Sequence, residues 1–174
     1  MTLFNIITEP DPILRKKSEN LETVNDESRK LMKKMLDTMY NAPGIGLAAP
    51  QVGILKKIIV IDISKEKEKK NPLFLINPKI LDRSKKTSVY EEGCLSLPGQ
   101  FAEIERPAEC HIKFLDYNGK GKELKIDGLL STCVQHEIDH LDGILFIDYL
   151  SKLKKSMIIK KLVKQKKSLE RIVV

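Results

Sequence analysis

Gln135-His136-Glu137-Ile138-Asp139-His140, near the C-terminal end of a 174-residue chain, reads H-E-x-x-H. In a helix, positions i and i+4 share a face, so His136 and His140 can offer two imidazole nitrogens to one metal ion. Glu137 follows the first histidine, where its carboxylate can reach a water on that ion and act as a general base. A catalytic ion normally takes three protein ligands plus water, so the third must come from elsewhere in the chain. The same pattern also arises by chance as a surface helix with two solvated histidines, and the other segments decide between the readings.

A chain of this length makes one domain, 1–174, large enough to bury a real core. Hydrophobic residues at 41% and charged residues at 32% fit a soluble globular protein. The absence of any apolar run of about 18 residues excludes a membrane span. The N-terminal stretch has no basic start and too short an apolar core for a signal peptide, so a cytoplasmic protein is expected. Cys94, Cys110 and Cys133 form no C-x-x-C pair, and their odd number argues against a disulfide framework. The net charge of +7 favours acidic partners without establishing one.

Upstream of the motif, residues 1–24 read as an extended arm with Pro10 and Pro12. Asn25-Asp26-Glu27-Ser28 signals a helix start, with an N-cap and acids in the first turn. Leu31, Met32, Met35, Leu36, Met39 and Tyr40 recur at helical spacing, predicting one apolar face from about 26 to 41. In Gly44-Ile45-Gly46-Leu47-Ala48-Ala49-Pro50-Gln51 the glycines allow close approach of a backbone or ligand. The role of Gln51 is open at this stage. Lys57 to Ile63 reads as a buried strand, and Ser64 to Pro72 as a charged loop. Leu73 to Leu81 reads as a strand that Pro78 places near an edge. In Tyr90 to Gly99 a short turn is expected to expose Cys94. Ile104 to Arg106, His111 to Tyr117 and Glu123 to Ile126 read as further strands, the last two joined at Asn118-Gly119-Lys120-Gly121.

Asp127 is a plausible N-cap for the motif helix, which would run through Leu141 and stop at Gly143. Ser151 opens a basic C-terminal helix, 151–174, expected to dock through Leu153, Met157, Ile158, Leu162, Leu169 and Ile172 with its lysines outward. The pattern is α+β: mixed or antiparallel sheets around a central metal-binding helix, followed by a C-terminal helix. Cys94 is the best third ligand. Its sulfur suits a borderline-soft ion, and a His₂Cys set leaves the fourth position open.

Three segments carry a resemblance. Gly44–Gln51, Glu92-Gly93-Cys94-Leu95-Ser96 and His136–His140 resemble the three motifs of bacterial peptide deformylases, in the same order and at similar spacings. The likeness runs over essentially the whole chain and is nearest the type I branch. It implies removal of the formyl group from the N-terminal formyl-methionine of nascent polypeptides by a monomeric enzyme. It further implies that Cys94, His136 and His140 hold one Fe²⁺, with Zn²⁺, Ni²⁺ or Co²⁺ able to substitute. Glu137 would be the acid/base, and the Gln51 amide and Leu95 N–H the oxyanion donors. Ile45, Tyr90, Leu129, Thr132 and Cys133 would line the methionine pocket, and Gly46 and Gly93 would bind the peptide main chain. Arg106 and Asp139 would pair to fix the motif helix. Tyr90 and Thr132 stand where the family more often has aliphatic residues.

Two other classes compete. A zincin-type metallopeptidase would usually take its third ligand downstream, where Glu170 is the only glutamate after the motif. A ribosome- or RNA-binding module without catalysis would explain the basic C-terminal helix but has no use for H-E-x-x-H with Cys94.

Overall fold

The computed structural model of the chain describes residues 2–66 and 68–172, with the side chain of Ile172 outside that description. Helix α1 (Asp26–Asn41) starts on a reciprocal cap. The Asn25 side chain accepts from Ser28 N–H at 3.0 Å, and Ser28 Oγ accepts from Asn25 N–H at 2.8 Å. Strands β1 (Gly46–Ala48), β2 (Ile58–Ile61), β3 (Leu73–Arg83), β6 (Glu109–Leu115) and β7 (Gly121–Asp127) form a five-stranded sheet in the order β1-β2-β3-β6-β7. Every neighbouring pair in it is antiparallel. Strands β4 (Thr87–Cys94) and β5 (Leu97–Pro107) form a separate antiparallel hairpin. Helices α2 (Gly128–Leu141) and α3 (Lys152–Ile172) complete the fold, which is α+β as expected.

Strand β2 is apolar at every position and is buried on both faces of the sheet. Ile59 and Ile61 face one core with Leu75, Ile112, Phe114, Val134 and Leu141, placing α2 against that side. Ile58 and Val60 point the other way onto Met32, Met35 and Met39 of α1. A third core gathers Leu97 and Ile104 of β5, Leu145 to Ile147, Leu14 and Leu162 of α3. Burial of about 25 cal/mol per Å² of apolar area is what holds α2 between sheet and hairpin.

Three expectations are corrected. Pro78 lies in β3, the middle strand of the sheet and not an edge. It is tolerated because the β3–β6 register shifts between Ile76 and Lys79, and Asn77 there adopts φ 49°. The stretch around Cys94 is the end of a long hairpin instead of an exposing loop, and Cys94 is half-buried. Helix α3 docks through Ile158, Ile159 and Leu162, while Leu153, Met157 and Leu169 are exposed.

The N-terminal arm is pinned along its length. Ile7 N–H donates to Gln51 O, Glu9 N–H to Ser96 O and Ser18 N–H to Leu141 O, each at 2.8 Å. Gly143, just past α2, presses on the Arg15 backbone so closely that a Cβ would overlap it. Arg15 Nη1 meets Asp148 at 2.6 Å, and Lys155 of α3 meets the same carboxylate. No helix among the described residues is long and apolar enough to cross a membrane.

Candidate metal centre and active site

Cys94 at the end of β4 and His136 and His140 one turn apart on α2 bring their donor atoms within 4.8 Å of one another. Cys94 Sγ lies 3.3 Å from His140 Nε2. A thiolate and two imidazoles form a set suited to zinc, iron or cobalt, with bonds of about 2.0–2.3 Å. The fit is supported by Glu137 beside them, whose Oε2 is buried without a protein partner. Among the described residues this is the cluster that could hold an ion. Glu170, the alternative downstream ligand, is exposed near the end of α3.

A buried carboxylate orients the first histidine. Glu92 Oε1 is 2.8 Å from His136 Nδ1 and also accepts from Arg106 Nη2 at 3.0 Å, while Oε2 accepts from Arg106 Nε at 2.7 Å. Arg106 Nη1 donates to Asp139 Oδ2 at 2.8 Å, and the Tyr149 hydroxyl donates to the same oxygen at 2.7 Å. Burial alone would raise the Glu92 pKa, but the bonds from His136 and Arg106 hold it below the ordinary carboxylate value. Glu92 is therefore an anion that accepts Nδ1–H, leaving Nε2 of His136 as the nitrogen that could take a metal.

The remaining titratable groups respond to burial. It lowers His140 well below its usual value, helped by the charges of His136 and Arg106. Burial pushes Glu137 up to about 7, and its neighbour Glu92 adds to this. For His136, burial lowers the pKa, and bonds to Cys94 and Glu92 more than reverse this. The Cys133 thiol is driven up by burial and by Glu137.

Cys94 and His136 line a cleft of about 420 Å³, and His140 adjoins Cys94 without lining it. Ile45, Gly46, Gln51, Tyr90, Gly93, Cys94, Leu95, Leu129, Thr132, Cys133, His136 and Glu137 all line it. Gln51 sits between the first and second motifs. Its Oε1 accepts from Ala48 N–H at 2.9 Å, and its Nε2 lies 3.1 Å from Ser96 Oγ and 3.5 Å from Cys94 Sγ. Gly46 must be glycine, since a Cβ there would overlap Glu137 Oε1 and come within 3.0 Å of Cys133 Sγ. Arg106 and Asp139 do pair, although not as an isolated couple, and they lie behind His136 instead of in the cleft. In the sequence Glu92 and Ser96 stood in the second motif without a role, and Tyr149 was missed. Period-2 spacing from Cys94 places Glu92 on the same strand face and could have found it.

A family model described as polypeptide deformylase matches residues 3–156. The chain is 63% identical over 166 residues to the peptide deformylase of Pelagibacter ubique (strain HTCC1062), covering 95% of this chain and 96% of that one. It is 52% identical over 168 residues to that of Rhizobium meliloti (strain 1021), covering 97% of each. The crystal structure of the Ehrlichia chaffeensis peptide deformylase in complex with actinonin superposes with a TM-score of 0.90 at 44% identity, over 95% of this chain and 98% of that one. The Legionella pneumophila enzyme superposes with a TM-score of 0.90 at 41% identity, over 98% and 99%. A metal-capable Cys-His-His cluster in a cleft, on this fold and with these relatives, makes the chain a member of the polypeptide deformylase family.

Proposed function

We propose that the chain hydrolyses the formyl amide at the N-terminal methionine of newly made polypeptides, with Cys94, His136 and His140 holding a single Fe²⁺. The observation that carries this is the convergence of those three side chains within 4.8 Å of one another, with Cys94, His136 and Glu137 lining one cleft of a deformylase-family chain. Zn²⁺, Ni²⁺ or Co²⁺ suit the same donors. When bound, such an ion supplies Lewis acidity, polarising the carbonyl and lowering the pKa of water from 15.7 toward about 7.

The protein side chains do the rest. Glu137 takes a proton from the attacking water, whose oxygen bonds to the formyl carbon. The carbonyl oxygen gains charge and is met by a Gln51 side-chain N–H and the Leu95 backbone N–H, donors prealigned at low dielectric cost. Glu137 then passes the proton to the amine nitrogen as the C–N bond breaks, releasing formate and a free amino terminus. Ile45, Tyr90, Leu129, Thr132 and Cys133 surround the methionine side chain, and the backbones of Gly46 and Gly93 hold the peptide. Arg106 and Asp139 work from behind, fixing α2 through Glu92.

One chain supplies every one of these groups, which supports action as a monomer and as a single domain. Helix α3 carries Lys152, Lys154, Lys160, Lys161, Lys164, Lys166 and Lys167 on exposed positions. That surface supports docking at the ribosome in the cytoplasm, where formylated chains emerge. Anaerobic purification with metal analysis, followed by assay on formyl-Met-Ala-Ser, tests the activity. The expected result is one equivalent of iron and release of formate. A preparation that binds one ion at Cys94, His136 and His140 yet leaves the formyl group intact overturns the assignment.

A further inference from the structure

Ser96 has no part in the scheme above, yet it is fully buried one turn-residue beyond Leu95 and two beyond Cys94. Its hydroxyl meets Gln51 Nε2 at 3.1 Å inside the protein, and Gln51 itself is 1% exposed. The orientation of the Gln51 amide follows from its partners. Ala48 N–H can only donate, so it must face Oε1, and Nε2 must then face Ser96. An amide anchored at one end alone still turns about its last torsion, which is broad and has no sharp staggered wells. A second anchor on one of the two N–H bonds stops that rotation. The other N–H then has one direction left, toward Cys94 Sγ at 3.5 Å and the cleft.

We propose that Ser96 is a positioning residue: its hydroxyl fixes the plane of the Gln51 amide so that the second N–H, which faces Cys94 Sγ and the cleft, is aimed at the developing oxyanion. The inference rests on the reading of Gln51 as an oxyanion donor. Ser96 can do this because its own place is fixed independently of its side chain. Its carbonyl accepts from Glu9 N–H at 2.8 Å, and Leu97, the next residue, pairs with Cys94 across the hairpin. Removing the hydroxyl leaves both contacts in place. A loss of Gln51 alignment can therefore be told apart from a loss of the turn.

The test compares Ser96→Ala, Gln51→Ala and the double variant, metal-loaded, on formyl-Met-Ala-Ser, with metal content measured in each. Ser96→Ala is expected to lower kcat about 10-fold with KM within about 2-fold, short of the roughly 10²–10³ lost with a whole donor. The double variant should be no slower than Gln51→Ala alone. In metal-free, ¹⁵N-labelled protein, the two side-chain protons of Gln51 should give separate sharp resonances that broaden in Ser96→Ala and recover in Ser96→Thr. If Ser96→Ala does not fold, Ser96→Cys keeps the volume, weakens the acceptor and serves in its place. Undiminished kcat in Ser96→Ala, losses that multiply in the double variant, or unchanged Gln51 resonances each overturn the proposal. Gln51→Ala turning over at the parent rate removes the oxyanion reading itself. A slow Gln51→Ala beside a fast Ser96→Ala leaves that reading standing and removes only the role of Ser96.

Discussion

Glu92 Oε1 lies 2.8 Å from His136 Nδ1, with both groups buried and the carboxylate held ionised by Arg106. Partners of this kind set the tautomer and ring angle of a metal-binding histidine, and their loss typically costs about 10–100-fold in metal affinity. Glu92→Ala should therefore bind zinc about 10–100-fold more weakly than the parent, read by competition with a chelator. Parent-like affinity would mean that His136 is oriented by the packing of α2 alone.

Arg106→Met should destabilise the fold by about 3–5 kcal/mol at neutral pH, because it strands the buried Glu92 anion. Urea unfolding measures this. The folded pKa of Glu92 is depressed from 4.5, so its contribution is complete above about pH 4.5 and is lost as pH falls through the depressed value. The gap between Arg106→Met and the parent should narrow in that acid range. A gap that is constant down to acid pH would place the cost in packing and not in charge.

Glu137→Gln separates catalysis from stability. In metal-free protein, burial raises the Glu137 pKa from 4.5 to about 7. The parent's stability from this group is complete below about 4.5 and is lost as pH rises through about 7, a penalty of about 3 kcal/mol once the group is charged. Metal-free Glu137→Gln should be the more stable protein at pH 8.5 and not at pH 4. Loaded with metal, it should keep the ion and lose about 10²–10⁴ in turnover. Urea curves at the two pH values, with a deformylation assay, check both halves.

Cys94→Ala, His136→Ala and His140→Ala should each lose the ion on purification, since two side chains rarely hold a catalytic metal. Glu170→Ala should retain it, because Glu170 is exposed on α3. Elemental analysis decides. Full occupancy in Cys94→Ala would sink the ligand assignment.

Leu162→Ala should cost about 2–5 kcal/mol and Leu153→Ala under about 0.5. Leu162 is 3% exposed in the core shared with Phe146 and Ile147, whereas Leu153 is 71% exposed. Thermal unfolding of both variants tests which face of α3 is docked. Equal losses would mean that the outer face is covered in solution.

Elements whose ends and faces are set by local chemistry were legible. Helix α1 runs from Asp26 to Asn41 as its cap and apolar spacing indicate, and α2 from Gly128 to Leu141 between Asp127 and Gly143. The candidate metal cluster was legible because H-E-x-x-H fixes two members and one cysteine stands in a glycine-flanked stretch. The hairpin was harder. Its outer face carries Val89, Glu91, Phe101, Glu103 and Glu105 in exposed positions, so little alternation marks its full length. Without that strand, Glu92 could not be placed on the same side as Cys94.

The docking face of α3 was half legible, for a different reason: Ile158 and Leu162 were expected inward and are found there, whereas Leu153, Met157 and Leu169 are exposed. Its apolar residues cover two faces, Leu153–Met157 and Ile158–Leu162, and periodicity cannot choose between them. The choice follows tertiary packing: Ile158, Ile159 and Leu162 meet Leu14, Leu97 and Ile104, residues distant in sequence. Pro78 likewise needs the partner strand: a proline reads as an edge signal until the β6 register shows the bulge that accommodates it.

The arm before α1 bears on how the chain can mature. Its bonds reach far along the chain, Ser18 to Leu141, Glu9 to Ser96, and Arg15 to Asp148, 133 positions later. Contacts so far apart in sequence close slowly and late. The arm braces the helix that bears His136 and His140 only once the residues through Asp148 have been made, so a product truncated before them would lack that brace. Synthesis is in this sense self-checking: residues 141–148 complete a seat whose other half the earlier arm prepares.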